Sequence, residues 1–378
     1  MSFKTRICEL FGIEVPVLLA GMGGASTPEL AAAVSRAGGL GVLGAAACGP
    51  RELREWIRRT RELTDRPFGV DTLLPASVRR APAAPTAASA THADDPKDRL
   101  AEMQAFAEQF MQENDLPPVD PAVLRQRRDP DEPMVFSKEF FDAQMEVIIE
   151  EQVPVYVSGL GNPGPWMDRL KAAGTRVGAV VGKVKHARQV RESGIDFIVA
   201  QGHDGGGHNS PIGTMALIPQ VVDAVGDLPV LGAGGISDGR GVAAALMLGA
   251  EGVWLGSVFL AAEESGILDF QKQALVDAAE DGTVISRAVT GKPARIIRSR
   301  WTEAWEPKGR EPLPMPWQGV VAGPVMAAAN QAGRGDINPG FAGQGIGMIR
   351  AVRPAADIMR EIIYSTEQAL ARSSNMGA

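Results

Sequence analysis

The sequence predicts an α/β protein built on a (β/α)8 TIM barrel, with an insertion after the third strand and a small C-terminal cap domain. Short apolar runs rich in β-branched residues alternate with helix-like segments, and eight such runs can be counted, the number that closes a barrel. Their continuous apolar character indicates parallel strands covered on both faces. The runs cover residues 15–19, 40–43, 68–74, 153–157, 176–181, 197–200, 229–232 and 252–255.

Helix signals lie between these strands. Residues 28–37 follow Thr27, a candidate N-cap, and residues 239–248 follow Ser237 and Asp238 and end at Gly249. The regular alternation favours the barrel over an open doubly wound sheet, which ordinarily carries fewer strands.

The barrel is predicted to occupy residues 1–260, apart from an insertion at about 76–135. Residues 81–90 of the insertion are low-complexity. One face of an amphipathic helix follows, formed by Leu100, Met103, Phe106, Phe110 and Met111. The insertion could serve as a lid, a dimer arm or an ornament. Residues 261–340, rich in Pro and Trp, are predicted to form the cap domain, and residues 341–378 to contain a helix at 348–371 that returns to the barrel wall.

Composition narrows the class of partner. The formal net charge of −7 argues against an electrostatic grip on nucleic acid or an anionic membrane, so small molecules are the expected partners. Cys8 and Cys48 are too few for a disulfide framework and lack the spacing of a zinc site. No apolar window approaches the ~18 residues of a membrane span, and Glu9 and Glu14 interrupt any signal-peptide core, so the sequence predicts a cytoplasmic protein.

Two glycine-rich turns follow the seventh and eighth strands, where barrels commonly build a phosphate site. They are residues 232–239 and the pair Gly256-Ser257, and each precedes a helix. Small residues there let backbone N–H groups approach an anion at a helix N-terminus. Taken singly, such glycines could serve only tight turns. Together, after these two strands, they predict phosphate binding.

A third glycine-rich turn, residues 20–25, follows the first strand, and Asp71 lies near the end of the third. The turn lacks the Lys-Ser/Thr pair of a P-loop, so hydrolysis of a nucleoside triphosphate is poorly supported. Close backbone approach from several strand ends suits a flat ring lying across the barrel mouth.

Two of the four histidines, His203 and His208, lie in the glycine-rich loop 201–210 after the sixth strand. An imidazole at the barrel mouth is a suitable general base, because its charge changes near neutral pH. The alternative is that the histidines only support the loop through hydrogen bonds, an interpretation that suits His203 better than His208. Metal binding by His203, Asp204 and His208 is a weaker alternative, because their spacing matches no zinc motif.

The combination of residues 201–208, 233–239 and 248–257, in this order, resembles the FMN-dependent nitronate monooxygenases. The similarity extends from residue 19 to residue 347, apart from the insertion. The resemblance implies a TIM barrel with FMN at its mouth and His208 as the catalytic residue. It also implies a set of FMN-binding residues: Gly234, Gly235, Gly256 and Ser257 at the phosphate, and Ala20, Gly21, Met22, Asp71, Gln201, Gly206, Gly207 and Gln344 around the rest of the cofactor.

This chain departs from the family pattern at two positions. Many relatives have Asn where this chain has Asp71, so an ionised carboxylate would face the flavin here. Gly205 stands where Ala is common, a mild change.

The implied reaction is flavin-dependent oxidation of alkyl nitronates by O2 to a carbonyl compound and nitrite. A neutral nitroalkane would first lose a proton, with His208 as the base. An NAD(P)H-dependent FMN reductase acting on enoyl thioesters or quinones is the nearest alternative, because enoyl-acyl carrier protein reductase II and a quinone reductase share these motifs. The second alternative is a non-redox phosphate-binding isomerase or lyase. A homodimer is possible, but the sequence does not determine the oligomeric state.

Overall fold

The computed structural model describes residues 3–74, 96–120, 131–306 and 310–374. Eight parallel strands form one sheet in the order β1-β9-β8-β6-β5-β4-β3-β2, and a bridge between Leu18 and Leu40 joins its two ends. The predicted barrel is therefore confirmed. Its strands are β1 Val17–Leu19, β2 Gly41–Gly44, β3 Phe68–Leu74, β4 Val155–Gly161, β5 Arg176–Val181, β6 Phe197–Gln201, β8 Val230–Ala233 and β9 Gly252–Leu255.

Side chains alternate between the barrel interior and the layer beneath the helices, as the pleat of a strand requires. On β6, Phe197 and Val199 point inward, whereas Ile198 and Ala200 pack in the outer layer. Phe11 belongs to the same interior cluster, with its ring 4.9 Å from that of Phe197. Both layers are apolar, which explains the continuous apolar runs of the sequence.

Fourteen helices lie in the described part of the chain, and most cover the barrel. They are α1 Arg6–Phe11, α2 Pro28–Arg36, α3 Pro50–Leu63, α4 Pro96–Glu113, α5 Lys138–Glu150, α6 Met167–Ala172, α7 Val184–Arg191, α8 Thr214–Val225, α9 Gly239–Met247, α10 Ser257–Leu260, α11 Asp269–Asp277, α12 Arg300–Glu303, α13 Trp317–Gln331 and α14 Ala355–Ser374. Helix α14 packs against α9 and α2. The C-terminal segment thus returns to the barrel wall, although its helix begins later than predicted because Met348 lies in a 3₁₀ turn, Gln344–Met348.

The two predicted helix starts have different outcomes. The Asp238 carboxylate accepts the N–H groups of Arg240 and Gly241 and caps α9, as predicted. Thr27 occupies the N-cap position of α2, as predicted, but its side chain accepts no hydrogen bond from the helix. Its hydroxyl donates instead to the carbonyl of Glu264, 3.2 Å away, a long-range partner that a local sequence pattern cannot indicate.

The segment after β9 contributes β10 Thr283–Ser286 and β11 Ala294–Ile297, which pair antiparallel. A two-residue strand, β7 Gly207–His208, joins the other edge of β11. This small sheet therefore connects the segment predicted as a cap to the histidine loop of the barrel.

Helix α4 of the insertion packs on the same segment. Phe106 and Phe110 of α4 contact Trp301, with ring centroids 5.8 and 5.0 Å apart. Met103 joins the same apolar cluster, which includes Trp305. The predicted amphipathic helix is confirmed, and its apolar face lies against the segment predicted as a cap. The low-complexity residues 81–90 lie outside the described residues.

Both cysteines are buried free thiols, and burial raises the pKa of Cys48 far above its ordinary value. No helix in the described ranges is both long and apolar enough to cross a membrane.

Candidate active site

The turn after β1 is held by a serine and fits closely against the end of β3. Ser26 Oγ donates to the carbonyl of Ala20 at 2.7 Å and accepts the N–H of Met22 at 3.1 Å. A Cβ atom placed on Gly21 would lie only 2.2 Å from Cβ of Asp71. Gly21 is therefore required for this approach, which brings the strand-one turn and Asp71 together.

Asp71 is a buried carboxyl group between two glycines. It is 7% exposed, and a Cβ on Gly159 of β4 would lie 2.5 Å from its Oδ1. Burial raises the pKa of Asp71 well above its ordinary value, and the hydrogen bond from the Gly159 N–H only partly offsets this effect. Burial therefore shifts Asp71 toward the neutral acid, the isostere of Asn, and away from the ionised carboxylate expected from the sequence.

Further contacts join the turn after β1 to the loop after β9. A Cβ atom placed on Gly256 would lie 3.3 Å from Met22 Sδ. Ser257 Oγ accepts the N–H of Gly343 at 2.8 Å. The N–H of Gln344 donates to the carbonyl of Asp204 at 2.8 Å, while Gln344 itself is exposed. The 343–344 segment thus bridges the loops that follow β9 and β6.

The loop after β8 lies against the histidine loop. Gly234 and Gly235 have φ values of +104° and +71°, in the region that favours glycine. A Cβ on Gly235 would lie 2.9 Å from Cβ of Asp204, and one on Gly206 would lie 2.8 Å from the carbonyl carbon of Ala342. A side chain at either position would therefore collide with a neighbouring loop, so these glycines allow the loops to pack closely together.

The helix N-terminus after this loop is already satisfied. Because the Asp238 carboxylate accepts two N–H groups in the first turn of α9, that helix end is not free for a phosphate, contrary to the sequence-based expectation. An anion would have to use the preceding backbone at Gly234 and Gly235, together with Ser257.

His203 and Asp204 shape the histidine loop. The carbonyl of His203 accepts from Arg295 Nε and Nη2 at 3.3 and 3.2 Å and from Asn209 at 3.0 Å, and its Nδ1 lies 2.9 Å from the Ser210 carbonyl. Asp204 Oδ2 accepts the N–H of Thr214 at the start of α8. These contacts match the supporting alternative for His203. No group of three or more metal-binding side chains occurs within residues 3–74, 96–120, 131–306 and 310–374.

His208 stands at the edge of this arrangement. Its backbone pairs with Ala294 of β11, and its carbonyl accepts Gln201 Nε2 at 3.1 Å. The ring is reachable from solvent, and its Nε2 lies 2.9 Å from Thr290 Oγ1. Partial burial and the nearby Lys292 ammonium lower the pKa of His208, so the neutral imidazole is favoured at pH 7.

The structure thus joins the predicted residues through a continuous series of contacts at the carboxyl ends of the strands, which is the active face of such barrels. Sequence reasoning missed Thr290, Lys292 and Arg295, all contributed by the segment after β9. Their sequence carries no motif. Of the three, only Arg295 could have been noticed in the sequence, because it is a charged residue within the apolar strand Ala294–Ile297.

Comparison with known proteins identifies the family. The sequence profile of nitronate monooxygenase matches residues 4–365. A Staphylococcus aureus protein named a probable nitronate monooxygenase is 32% identical over 378 residues, covering 97% of this chain and 98% of the relative. A Mycobacterium tuberculosis protein provisionally named a monooxygenase is 35% identical, covering 95% of this chain and 96% of the relative.

Solved structures support the same family assignment. A nitroalkane oxidase from Streptomyces ansochromogenes superimposes with a TM-score of 0.80 at 31% identity, covering 97% of this chain and 99% of the other. FabK from Thermotoga maritima gives a TM-score of 0.74 at 30% identity, covering 99% of both chains. The profile match, the relatives and the barrel with its glycine-lined mouth together show that this chain belongs to the nitronate monooxygenase family and is a flavin-dependent oxidoreductase.

Proposed function

We propose that this protein binds FMN at the carboxyl end of its barrel and oxidises alkyl nitronates with O2, giving a carbonyl compound and nitrite. The observation that carries the proposal is that the glycine-rich loops after β1, β9, β6 and β8 contact one another in series, with His208 at the edge of this arrangement. The proposal is further supported by the names of the Staphylococcus aureus relative and the Streptomyces nitroalkane oxidase, which act, by those names, on nitro compounds.

The residues present fit FMN. Gly234 and Gly235 have a backbone conformation that residues with a side chain rarely adopt. We propose that, together with Gly256 and Ser257, they form a cradle for the phosphate. A ring and its ribityl chain need close backbone approach, which the remaining residues supply: Ala20, Gly21, Met22, Asp71, Gln201, Gly206, Gly207 and Gln344. We propose FMN rather than riboflavin because the loops after the seventh and eighth strands of such barrels commonly bind a phosphate.

When bound, the flavin supplies the redox chemistry, and the protein supplies position and electrostatics. The lowered pKa of His208 keeps a neutral imidazole available to accept the proton next to the nitro group of a nitroalkane. A pre-formed nitronate does not need that step. Because burial raises the pKa of Asp71, the negative charge that this residue would place beside the flavin is reduced.

The proposal is tested with an absorbance spectrum of the purified protein followed by aerobic addition of ethylnitronate or propionate 3-nitronate, with nitrite measured. We expect a bound flavin, released as FMN on denaturation, and nitrite formed in proportion to nitronate consumed. A flavin-containing protein that forms no nitrite would contradict the proposal.

A second candidate is an NAD(P)H-dependent FMN reductase acting on enoyl thioesters or quinones. The likeness to FabK and the shared glycine motifs favour it. Rapid loss of flavin colour on anaerobic mixing with NADH or NADPH would support it. The non-redox isomerase or lyase does not agree with membership of a flavin-dependent oxidoreductase family.

A further inference from the structure

The imidazole of His208 is held from outside the barrel by a threonine. Thr290 lies in the turn between β10 and β11, and its Oγ1 is 2.9 Å from His208 Nε2. The same turn carries Lys292, whose charge acts on the imidazole. Because β11 also pairs with β7, the turn and the histidine are fixed relative to one another.

The hydrogen bonds of the Thr290 hydroxyl decide which nitrogen of His208 carries hydrogen. Thr290 Oγ1 lies 3.3 Å from the N–H of Lys292, which it accepts, and 3.2 Å from the carbonyl oxygen of Lys292. A hydroxyl has one hydrogen to donate and two lone pairs with which to accept. Donation of that hydrogen to the Lys292 carbonyl leaves the second lone pair for a donor at His208 Nε2, whereas donation to Nε2 would place the imidazole hydrogen on Nδ1.

We propose that Thr290 is a positioning residue that holds His208 as the tautomer with hydrogen on Nε2, which leaves Nδ1 as the nitrogen that accepts the substrate proton. This proposal rests on the proposed oxidation of nitro compounds. In the described part of the chain, Nδ1 of His208 contacts no donor or acceptor, whereas Nδ1 of His203 is engaged with the carbonyl of Ser210.

The step is a proton transfer. The C–H bond next to the nitro group breaks, its proton forms an N–H bond at Nδ1, and its electron pair moves into the nitro group to give the nitronate. The Nε2–H stays directed at Thr290 throughout, so the ring keeps its position when it becomes an imidazolium.

The charges near the ring favour proton release after the step. Lys292 opposes the imidazolium from the cap side. On the histidine's own loop, Asp204 is hydrogen-bonded to the N–H of Thr214. Arg295, on β11, is directed at the carbonyl of His203. Lys292 is therefore the charged group that acts on the pKa of His208.

The test compares Thr290→Val, which keeps the shape but cannot accept a hydrogen bond, with Thr290→Ser, which keeps the hydroxyl. ¹⁵N NMR of the histidines in the flavin-bound protein reports the tautomer, with His208→Asn used to assign the signal. We expect hydrogen on Nε2 in the natural protein and in the Ser variant, and a mixture of tautomers in the Val variant.

Turnover gives the second readout. Thr290→Val should lower kcat on neutral nitroethane by about tenfold, a fraction of the 10²–10⁴ that a general base contributes, and should leave turnover of ethylnitronate nearly unchanged. Thr290→Ser should retain both. Hydrogen on Nδ1 in the natural protein, or equal losses on both substrates in the Val variant, would overturn the proposal. If no nitro compound is oxidised, the proposed function fails, while the NMR spectrum still decides the role of Thr290.

Discussion

At the scale of single residues, the barrel mouth depends on positions where a side chain cannot be added and on two titratable groups whose environments favour their neutral forms. Gly21 and Gly159 allow Asp71 to be buried, and burial favours its protonated form. His208 is favoured in its neutral form by partial burial and Lys292. The sequence indicated Gly21 and His208, whereas Gly159 and the protonation of Asp71 depend on contacts between different strands.

Asp71→Asn tests the buried acid through protein stability. The folded pKa is raised, whereas the unfolded chain ionises near pH 4, so between these values the unfolded state binds fewer protons and stability falls as pH rises. Asn does not ionise, so it removes this loss of stability at high pH, and its side-chain oxygen can still accept the Gly159 N–H. In thermal unfolding of the flavin-free protein, we expect the Asn variant to have the higher Tm at pH 8 and the difference to shrink toward pH 5. A difference independent of pH would count against a protonated Asp71.

Gly235→Ala tests the phosphate cradle. The added Cβ would lie 2.9 Å from Cβ of Asp204 at a φ of +71°, so the loops must separate. We expect FMN affinity to fall about tenfold, or about 1.4 kcal/mol, measured by fluorescence titration. The matched control is Gly174→Ala, at a φ of +81° with no atom within 4 Å. This control should cost about 1–2 kcal/mol of stability through strain and leave FMN affinity unchanged.

His208→Asn tests the proton acceptor. Because a pre-formed nitronate has already lost its proton, we expect kcat/KM for nitroethane to fall by about 10²–10⁴ and that for ethylnitronate to change much less. The lowered pKa of His208 should also keep natural-protein turnover of nitroethane constant from pH 7 upward and reduce it as the imidazole is protonated at lower pH. Equal losses on both substrates would assign His208 to binding.

At the scale of elements, the histidine loop is held between the barrel and the segment predicted as a cap. The barrel strands could be predicted because each is an apolar run that is buried on both faces, such as Phe197–Gln201. The pairing of Gly207–His208 with β11 could not, because two residues carry no periodicity. The packing of α4 on Trp301 could not be predicted either, because the apolar face of α4 indicates that it is buried but not against which residues.

Trp301→Ala tests this packing. Trp301 is 0% exposed, contacts both Phe106 and Phe110, and donates its Nε1–H to the carbonyl of Ala288. Removing a buried aromatic of this kind costs about 3–5 kcal/mol, which urea unfolding would detect. Tyr364→Ala on α14, where the side chain is 65% exposed, is the control and should change stability by less than about 0.5 kcal/mol. Similar effects for both variants would mean that the α4 cluster adds little to stability.

At the scale of the whole molecule, the proposed FMN site draws on the ends of five strands, β1, β3, β6, β8 and β9, so FMN binding should stabilise the barrel as a unit. FMN at 100 times its Kd should add about 2.7 kcal/mol to the stability of the flavin-free protein. Riboflavin, which lacks the phosphate, should raise Tm clearly less at the same concentration. Equal shifts for the two flavins would mean that the Gly234 and Gly235 cradle does not hold the phosphate.

The most direct test of the proposed oxidation is anaerobic stopped-flow mixing of the flavin-bound protein with ethylnitronate and, separately, with NADH and NADPH. Absorbance of the oxidised flavin is followed in each case. We predict rapid loss of this absorbance with ethylnitronate and none with either nicotinamide on the timescale of turnover. Rapid loss with NADH or NADPH, and none with ethylnitronate, would contradict the account.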